Sequence, residues 1–292
     1  MVATLQLGIA VTITNYPWWV ILAAAYFIGA VLALALWVLL HETTHDLVLR
    51  TKSGNEWLGI LSGLPLIIPA AASFRKFHLL HHRRQGDAVL DGDVPSPWEV
   101  QIVGNSWVRK AFWLLLAPLM LCLRPARMRA IQMLDYWLVV NVALQVCFNL
   151  ALILFAGWGA LAYCLLANIF ALGLHPLGGR WIQEHFPLSE GQETYSYYGI
   201  MNRLVFNAGY HVEHHDLMRI SWRHLPTVRR LAADQYNDLV SYNSWGRLLI
   251  KFIVDRDVVL GSRGGERTSD QKPPSAGTGE LQPSGVTPSL ET

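Results

Sequence analysis

Eleven histidines occur in the chain, and eight of them fall into three tight groups. His41 and His45 bracket Glu42-Thr43-Thr44. His78, His81 and His82 form the second group, and His211, His214 and His215 the third. On a helix, positions i, i+3 and i+4 share one face, so each group aims two or three imidazoles at one point. At a histidine frequency of about 0.04, the pattern His-x-x-His-His is expected roughly 0.02 times per chain of this length, yet it occurs twice. Neither chance nor satisfied core histidines account for that. Imidazole ligates Zn, Cu, Fe and Ni, and a lone zinc takes four ligands. Eight or nine histidines therefore suit two ions, and neutral ligands leave those ions electrophilic enough for iron to activate dioxygen. The first group also matches the His-Glu-x-x-His pattern of zinc metalloproteases. An intramembrane zinc protease using His41, Glu42 and His45 is the reading from a different class, and it leaves the other two groups without a task.

The elements that must position these rings are apolar. Hydrophobic residues make up 52% of the 292 and charged residues 15%, with a mean hydropathy of +0.29. That balance points to several membrane segments. The net charge of +2 gives no case for nucleic acid. Residues 18–40 are free of charge and long enough to span a bilayer core of roughly 30 Å. Residues 4–14 are apolar but short, and Asn15-Tyr16-Pro17 reads as a turn; the segment is either part of a first transmembrane helix or a dip into the membrane. Residues 58–72 carry Gly59, Gly63, Pro65 and Pro69, which predicts a shallow or re-entrant segment. Residues 112–123, followed by Arg124, Arg127 and Arg129, predict an interfacial helix. Residues 136–174 suffice for two spans with a turn at Gly157-Trp158-Gly159. Two hairpins then bring His41, His78 and His211 to one membrane face, which the loop arginines mark as cytosolic.

The expected fold is an all-α integral-membrane protein. It has about four transmembrane helices and a cytosolic helical cap carrying a His-rich di-metal site. Residues 1–260 form the membrane domain, whose first helix is either truncated or a dip into the membrane. Residues 261–292, rich in Gly, Ser, Pro and Thr, form a disordered tail. Cys122, Cys147 and Cys164 are expected to be buried thiols rather than a disulfide framework. No cleavable signal peptide is evident.

The three boxes in this order resemble those of the membrane fatty acid desaturase and hydroxylase superfamily. The stretches 74–83, Gly173-Leu174-His175-Pro176, Glu184-His185, the run Glu193 to Gly199 (ETYSYYG) and 206–216 are similar to those of sphingolipid Δ4-desaturases, over most of the chain. The resemblance implies two Fe ions, O2 as co-substrate, and two electrons from cytochrome b5 or a ferredoxin-type donor protein. It implies a ceramide-type lipid substrate and introduction of a trans C4–C5 double bond into the sphinganine part of dihydroceramide. A C4-hydroxylase or an acyl-lipid desaturase on the same scaffold are the alternatives. It implies metal ligation by His41, His45, His78, His81, His82, His211, His214 and His215, with His185 as the ninth ligand and His175 as its competitor. Arg180 and Gln192 stand where animal members usually carry His. The implied location is an integral membrane, the endoplasmic reticulum in a eukaryote or the inner membrane in a bacterium.

Several polar residues admit two readings. Glu193, Tyr195, Tyr197 and Tyr198 line a lipid entrance or belong to an interfacial aromatic belt. Asp46, Glu213 and Asp216 orient imidazoles or are simply solvated. Asp87, Asp91 and Asp93 read as a solvated loop, with cation binding the alternative.

Overall fold

The computed structural model describes residues 1–128, 132–186, 189 and 191–263, and of residues 121–127 the backbone alone. Helix α1 (Val2–Ile13) has 12 residues, about 18 Å of rise, and cannot cross a bilayer core. It packs against the later helix Trp158–Leu172, where Tyr163 donates a hydrogen bond to Gln6 Oε1 at 3.2 Å and Gln6 is fully buried. After the turn at Asn15–Pro17, α2 (Trp18–Thr44) runs for 27 apolar residues, long enough to span. One π-helical turn, Ala25–Gly29, interrupts it.

Helices α3 (Lys52–Gly63) and α4 (Ala71–Arg83) meet at a sharp bend: Lys52–Leu66 and Ala71–Arg83 lie at 111°. A 3-10 turn over Leu64–Leu66 and left-handed Ile67, at φ 59°, make the break. The break falls within residues 58–72, where the prolines predict a shallow or re-entrant segment, and a pair bent this far is either a re-entrant loop or a broken span. Broken backbone inside a membrane needs polar partners from protein, and neighbouring helices supply them. Gln145 Nε2 donates to Leu64 O at 3.0 Å, and Asn149 Nδ2 donates to Ile67 O at 3.0 Å. Asn141 Oδ1 accepts from Ala72 N at 3.1 Å, and Asn168 Nδ2 donates to Leu66 O at 3.3 Å.

Helix α5 (Pro97–Val103) opens with a capping box between Ser96 and Glu99. Helix α6 (Trp107–Arg127) extends the expected interfacial segment in both directions; the side chains of Arg124 and Arg127, and Arg129 altogether, lie outside the described residues. Helix α7 (Tyr136–Ala156) is long and apolar enough to be the first of the two expected spans, whereas α8 (Trp158–Leu172), with 15 residues, reaches that length only together with the bent segment that follows it. Gly157 turns the chain between them at φ +90°, and at Gly159 a Cβ would meet Thr14 O at 2.1 Å. The two turns therefore pack together at one end of the bundle. Chain direction then bends by 45° through Pro176 into α9 (Gly179–His185). Counted by length and composition, the described residues hold two helices able to cross a membrane, or four if each bent pair is one span.

The rest is the cap. Two-residue strands β1 (Ser196–Tyr197) and β2 (Ser241–Tyr242) pair in parallel, a small exception in an otherwise helical protein. Helices α10 (His211–Asp216), α11 (Leu225–Leu231) and α12 (Trp245–Val254) complete it. Trp245, Leu248, Leu249 and Phe252 bury one face of α12, the spacing of an amphipathic helix. Buried Lys110 holds the end of α12 by donating to the carbonyls of Phe252, Asp255 and Val258. A last 3-10 turn, Leu260–Arg263, returns to the body of the protein. The expected tail lies from residue 264 onward outside the described residues. Cys164 is buried as expected, but Cys147 is exposed on the α7 face where Val142, Val146 and Leu150 are also uncovered.

Candidate metal centre

Four elements deliver the histidines to one place. His41 and His45 close the inner end of α2, with His45 as its C-cap. The carbonyls left unpaired at a helix end need donors, and Arg75 supplies them. Its Nη1 donates to Thr43 O and Thr44 O, both at 2.9 Å. Its Nη2 reaches Asp46 Oδ2 at 2.7 Å and its Nε lies 3.1 Å from Glu56 Oε1. Arg75 stands one turn before His78 on α4, so the same side chain ties the first box to the second. His78, His81 and His82 leave α4 on one face, and α10 presents His211, His214 and His215. His185 is the last residue of α9.

The rings form two adjoining groups. In the first, one nitrogen from each of His41, His45, His78, His82 and His214 lies within 4.8 Å of all the others. The Nε2 atoms of His45 and His78 are 3.1 Å apart, those of His78 and His82 3.0 Å, and those of His82 and His214 3.1 Å. The second group joins His81, His185 and His215. His211 completes it, with its Nε2 3.0 Å from that of His185, which is also 3.0 Å from that of His81. His82 and His215, with ring centroids 4.3 Å apart, link the groups. His175 stands outside: its Nδ1 accepts from Leu177 N at 3.1 Å and its ring packs on Tyr26.

This donor set fits a pair of metal ions. A neutral imidazole nitrogen carries one proton or one lone pair, yet His78, His82 and His185 each turn Nε2 toward two other Nε2 atoms. Buried His215 Nε2 has no hydrogen-bond partner among the described residues. Metal–nitrogen bonds of about 2.1 Å put neighbouring ligands about 3 Å apart, the spacing seen here. Burial, then neighbouring imidazoles, hold His211, His214 and His215 far below the usual imidazole pKa. Burial, then Arg75, bring His45 down to about 4. Neutral rings are the form that ligates.

Carboxylates fix the rings and the elements bearing them. His81 Nδ1 donates to Asp91 Oδ1 at 2.9 Å, so in the neutral ring Nε2 carries the lone pair that can ligate. Asp91 also accepts from Gly86 N and Asp93 N, both at 2.9 Å, and is 2% exposed. The reading of Asp91 as part of a solvated loop is thus corrected: the loop folds inward because a buried imidazole N–H needs an acceptor. Glu184 Oε1 lies 3.5 Å from His211 Nδ1. Glu213, fully buried, accepts from Ser196 Oγ at 2.6 Å and Tyr198 OH at 2.7 Å. Asp46 and Glu213 therefore steady the boxes through Arg75 and the 196–198 strand, without touching an imidazole. Glu42 accepts from Ser221 Oγ at 3.0 Å and Trp222 N at 3.3 Å, so it fastens the chain after the third box instead of serving as a protease base.

The run 193–199 has a role that neither sequence reading anticipated. Tyr195 and Tyr197 are buried. Tyr195 OH donates to Gln192 O at 2.7 Å, Tyr197 stacks on Trp245 with centroids 4.1 Å apart, and Arg229 lies over Tyr198 at 3.6 Å. These side chains brace α10 from behind. The available signal was the unbroken run of hydroxyl side chains from Thr194 to Tyr198, of which Ser196 and Tyr198 meet Glu213.

A cavity of about 190 Å³ ends at the histidines. Trp37, Ile68, Phe74, Phe77, Pro118 and Leu172 form its apolar side, and His41, His78, His81, His185 and His211 reach its inner wall. Ser73, Asp93, Arg180 and Glu184 are its other polar groups. Such a chamber can hold an aliphatic chain against a metal centre.

Comparison with known proteins agrees with this geometry. A profile of the family "Fatty acid desaturase" matches residues 17–246. A rice (Oryza sativa subsp. japonica) protein named sphingolipid delta(4)-desaturase DES1-like is 38% identical over 257 residues, covering 88% of this chain and 78% of the relative. The human sphingolipid delta(4)-desaturase DES1 is 36% identical, covering 90% and 81%. The sphingolipid delta(4)-desaturase of Komagataella phaffii is 36% identical, covering 96% and 81%. With apolar helices carrying three histidine boxes to one chamber, the chain belongs to the fatty acid desaturase family and is a membrane oxidoreductase.

Proposed function

We propose that this protein is a sphingolipid Δ4-desaturase, which introduces a trans C4–C5 double bond into the sphinganine part of dihydroceramide. The observation that carries the reading is the junction of nine imidazoles with a chamber whose other side is formed by Trp37, Ile68, Phe74, Phe77, Pro118 and Leu172. The names of the relatives give the substrate class. The reaction balances as one CH2–CH2 unit, O2, two electrons and two protons giving one CH=CH unit and two waters. Two irons, when bound, supply the activation of O2. His41, His45, His78, His82 and His214 would hold one, and His81, His185, His211 and His215 the other. Electrons come from an external carrier, cytochrome b5 or a ferredoxin-type protein. The chain's own task is placement: Phe74, Phe77 and Trp37 hold the aliphatic chain against the imidazoles. The site faces the cytosol, on the endoplasmic reticulum in a eukaryotic host or the inner membrane in a bacterial one.

Expression in cells lacking ceramide desaturase, followed by mass spectrometry of long-chain bases, tests the proposal. Sphingosine is the expected product. Phytosphingosine instead indicates a hydroxylase, and a change confined to fatty acyl chains overturns the sphingolipid assignment.

A further inference from the structure

Arg180 and Glu184 form an ion pair inside the cavity, with Nη2 and Oε1 2.5 Å apart. They stand one turn apart on α9, which ends at His185. Glu184 is 7% exposed, and the same oxygen lies 3.5 Å from His211 Nδ1, so the pair sits one imidazole ring from the clustered Nε2 atoms. Arg180 Nε is buried and has no hydrogen-bond partner among the described residues. Leaving a charged donor unmatched in a buried site is costly, and a ligand oxygen would remove that cost. The other polar groups in the wall are engaged: Ser73 Oγ donates to Ala70 O at 3.1 Å, and Asp93 meets Arg263 at 3.1 Å.

We propose that the Arg180–Glu184 pair receives the C3 hydroxyl of the lipid and thereby selects which carbons face the metal centre. This rests on the Δ4-desaturase reading. In that substrate the hydroxyl-bearing carbon is bonded directly to C4. Wherever C4 meets the metal centre, the hydroxyl must lie within two bonds of it, in a chamber where Ser73 and Asp93 are already engaged with protein partners. A hydroxyl both donates and accepts, whereas a guanidinium only donates and a carboxylate only accepts. The pair therefore complements a hydroxyl from both sides. Register follows from the same contact, because the C3 hydroxyl is the polar group nearest to C4 and every carbon beyond it is an identical CH2 group.

The test uses the full chain in membranes, with dihydroceramide and its 3-deoxy analogue as paired substrates. The wild-type protein should convert the analogue with kcat/KM at least about tenfold lower, because a site built for a hydroxyl rejects the substrate lacking it. It should also spread the analogue's double bond over neighbouring positions. Arg180→Met should lose about tenfold or more on dihydroceramide while changing little on the analogue, with metal content unaltered. Arg180→Lys should recover part of the loss. Equal losses on both substrates, or a wild-type protein indifferent to the hydroxyl, would overturn the inference while leaving the desaturase reading intact. A wild-type protein that converts no dihydroceramide overturns both.

Discussion

Replacing Asp91 by Asn changes one charge and almost no volume, and it should cost the protein much of its hold on metal. The carboxylate is 2% exposed and takes three donors: His81 Nδ1, Gly86 N and Asp93 N, each at 2.9 Å. An asparagine offers one acceptor oxygen and one NH2. If the oxygen keeps His81 and Asp93, the NH2 faces the Gly86 N–H, donor against donor. If the amide flips, its NH2 faces His81 Nδ1, which must then accept, and the ring proton moves to Nε2 where a metal would bind. Either way one charge-assisted hydrogen bond is lost, worth about 1.5–3 kcal/mol. On the second orientation that energy comes directly out of metal affinity, about 10- to 100-fold. The assay is metal per chain by mass spectrometry across a chelator series, beside turnover. Asp87→Asn is the control, since Asp87 only caps the backbone at Val89 and Leu90. Wild-type metal retention in Asp91→Asn would refute the idea that this carboxylate sets the His81 tautomer.

Three other outcomes are expected. His185→Ala should lower metal content from two ions per chain, whereas His175→Asn, which keeps an acceptor for Leu177 N, should leave it unchanged; inductively coupled plasma analysis separates the two. Asn149→Leu takes the side-chain donor from the carbonyl of Ile67 at the break and should cost about 1–2 kcal/mol, read as a lower melting temperature in detergent, and an unchanged Tm would contradict the role given to that amide. In chelator-stripped protein, His45 titrates at about 4 in the fold against 6.5 in the unfolded chain. The unfolded chain thus takes the proton first, and stability should be intact above pH 6.5 and decline as pH falls toward 4; melting curves flat through that window would count against a neutral, buried His45.

The parts legible in the sequence were those set by local spacing. Boxes of i, i+3 and i+4 histidines must share a face, Gly157 must break a long apolar run, and Pro65 with Pro69 must break a helix. What joins distant stretches was not legible. Asp91 lies in a polar loop, and nothing local says that its acceptor is spent on His81, ten residues earlier. Arg75 looks like an ordinary basic residue beside a motif until α2 ends against it. The amides Asn141, Gln145 and Asn149 were the overlooked clue: four-residue spacing puts them on one face of an otherwise apolar span, and such a stripe in lipid needs polar partners. Those partners are the open carbonyls and N–H of the re-entrant break, whose need for donors the prolines had already implied.

The final described turn reaches back to the chamber: Arg263 Nη2 meets Asp93 at 3.1 Å, and its guanidinium lies 5.0 Å from the Trp181 ring, with both residues in the cavity wall. A ribosome threads the polypeptide amino end first, so His41 is in place long before Arg263 emerges. The wall is finished only when nearly the whole described length has been translated and inserted. The third box, His211 to His215, is likewise made late, and a fusion partner or trimming site placed beyond Arg263 leaves the contacts behind that wall intact.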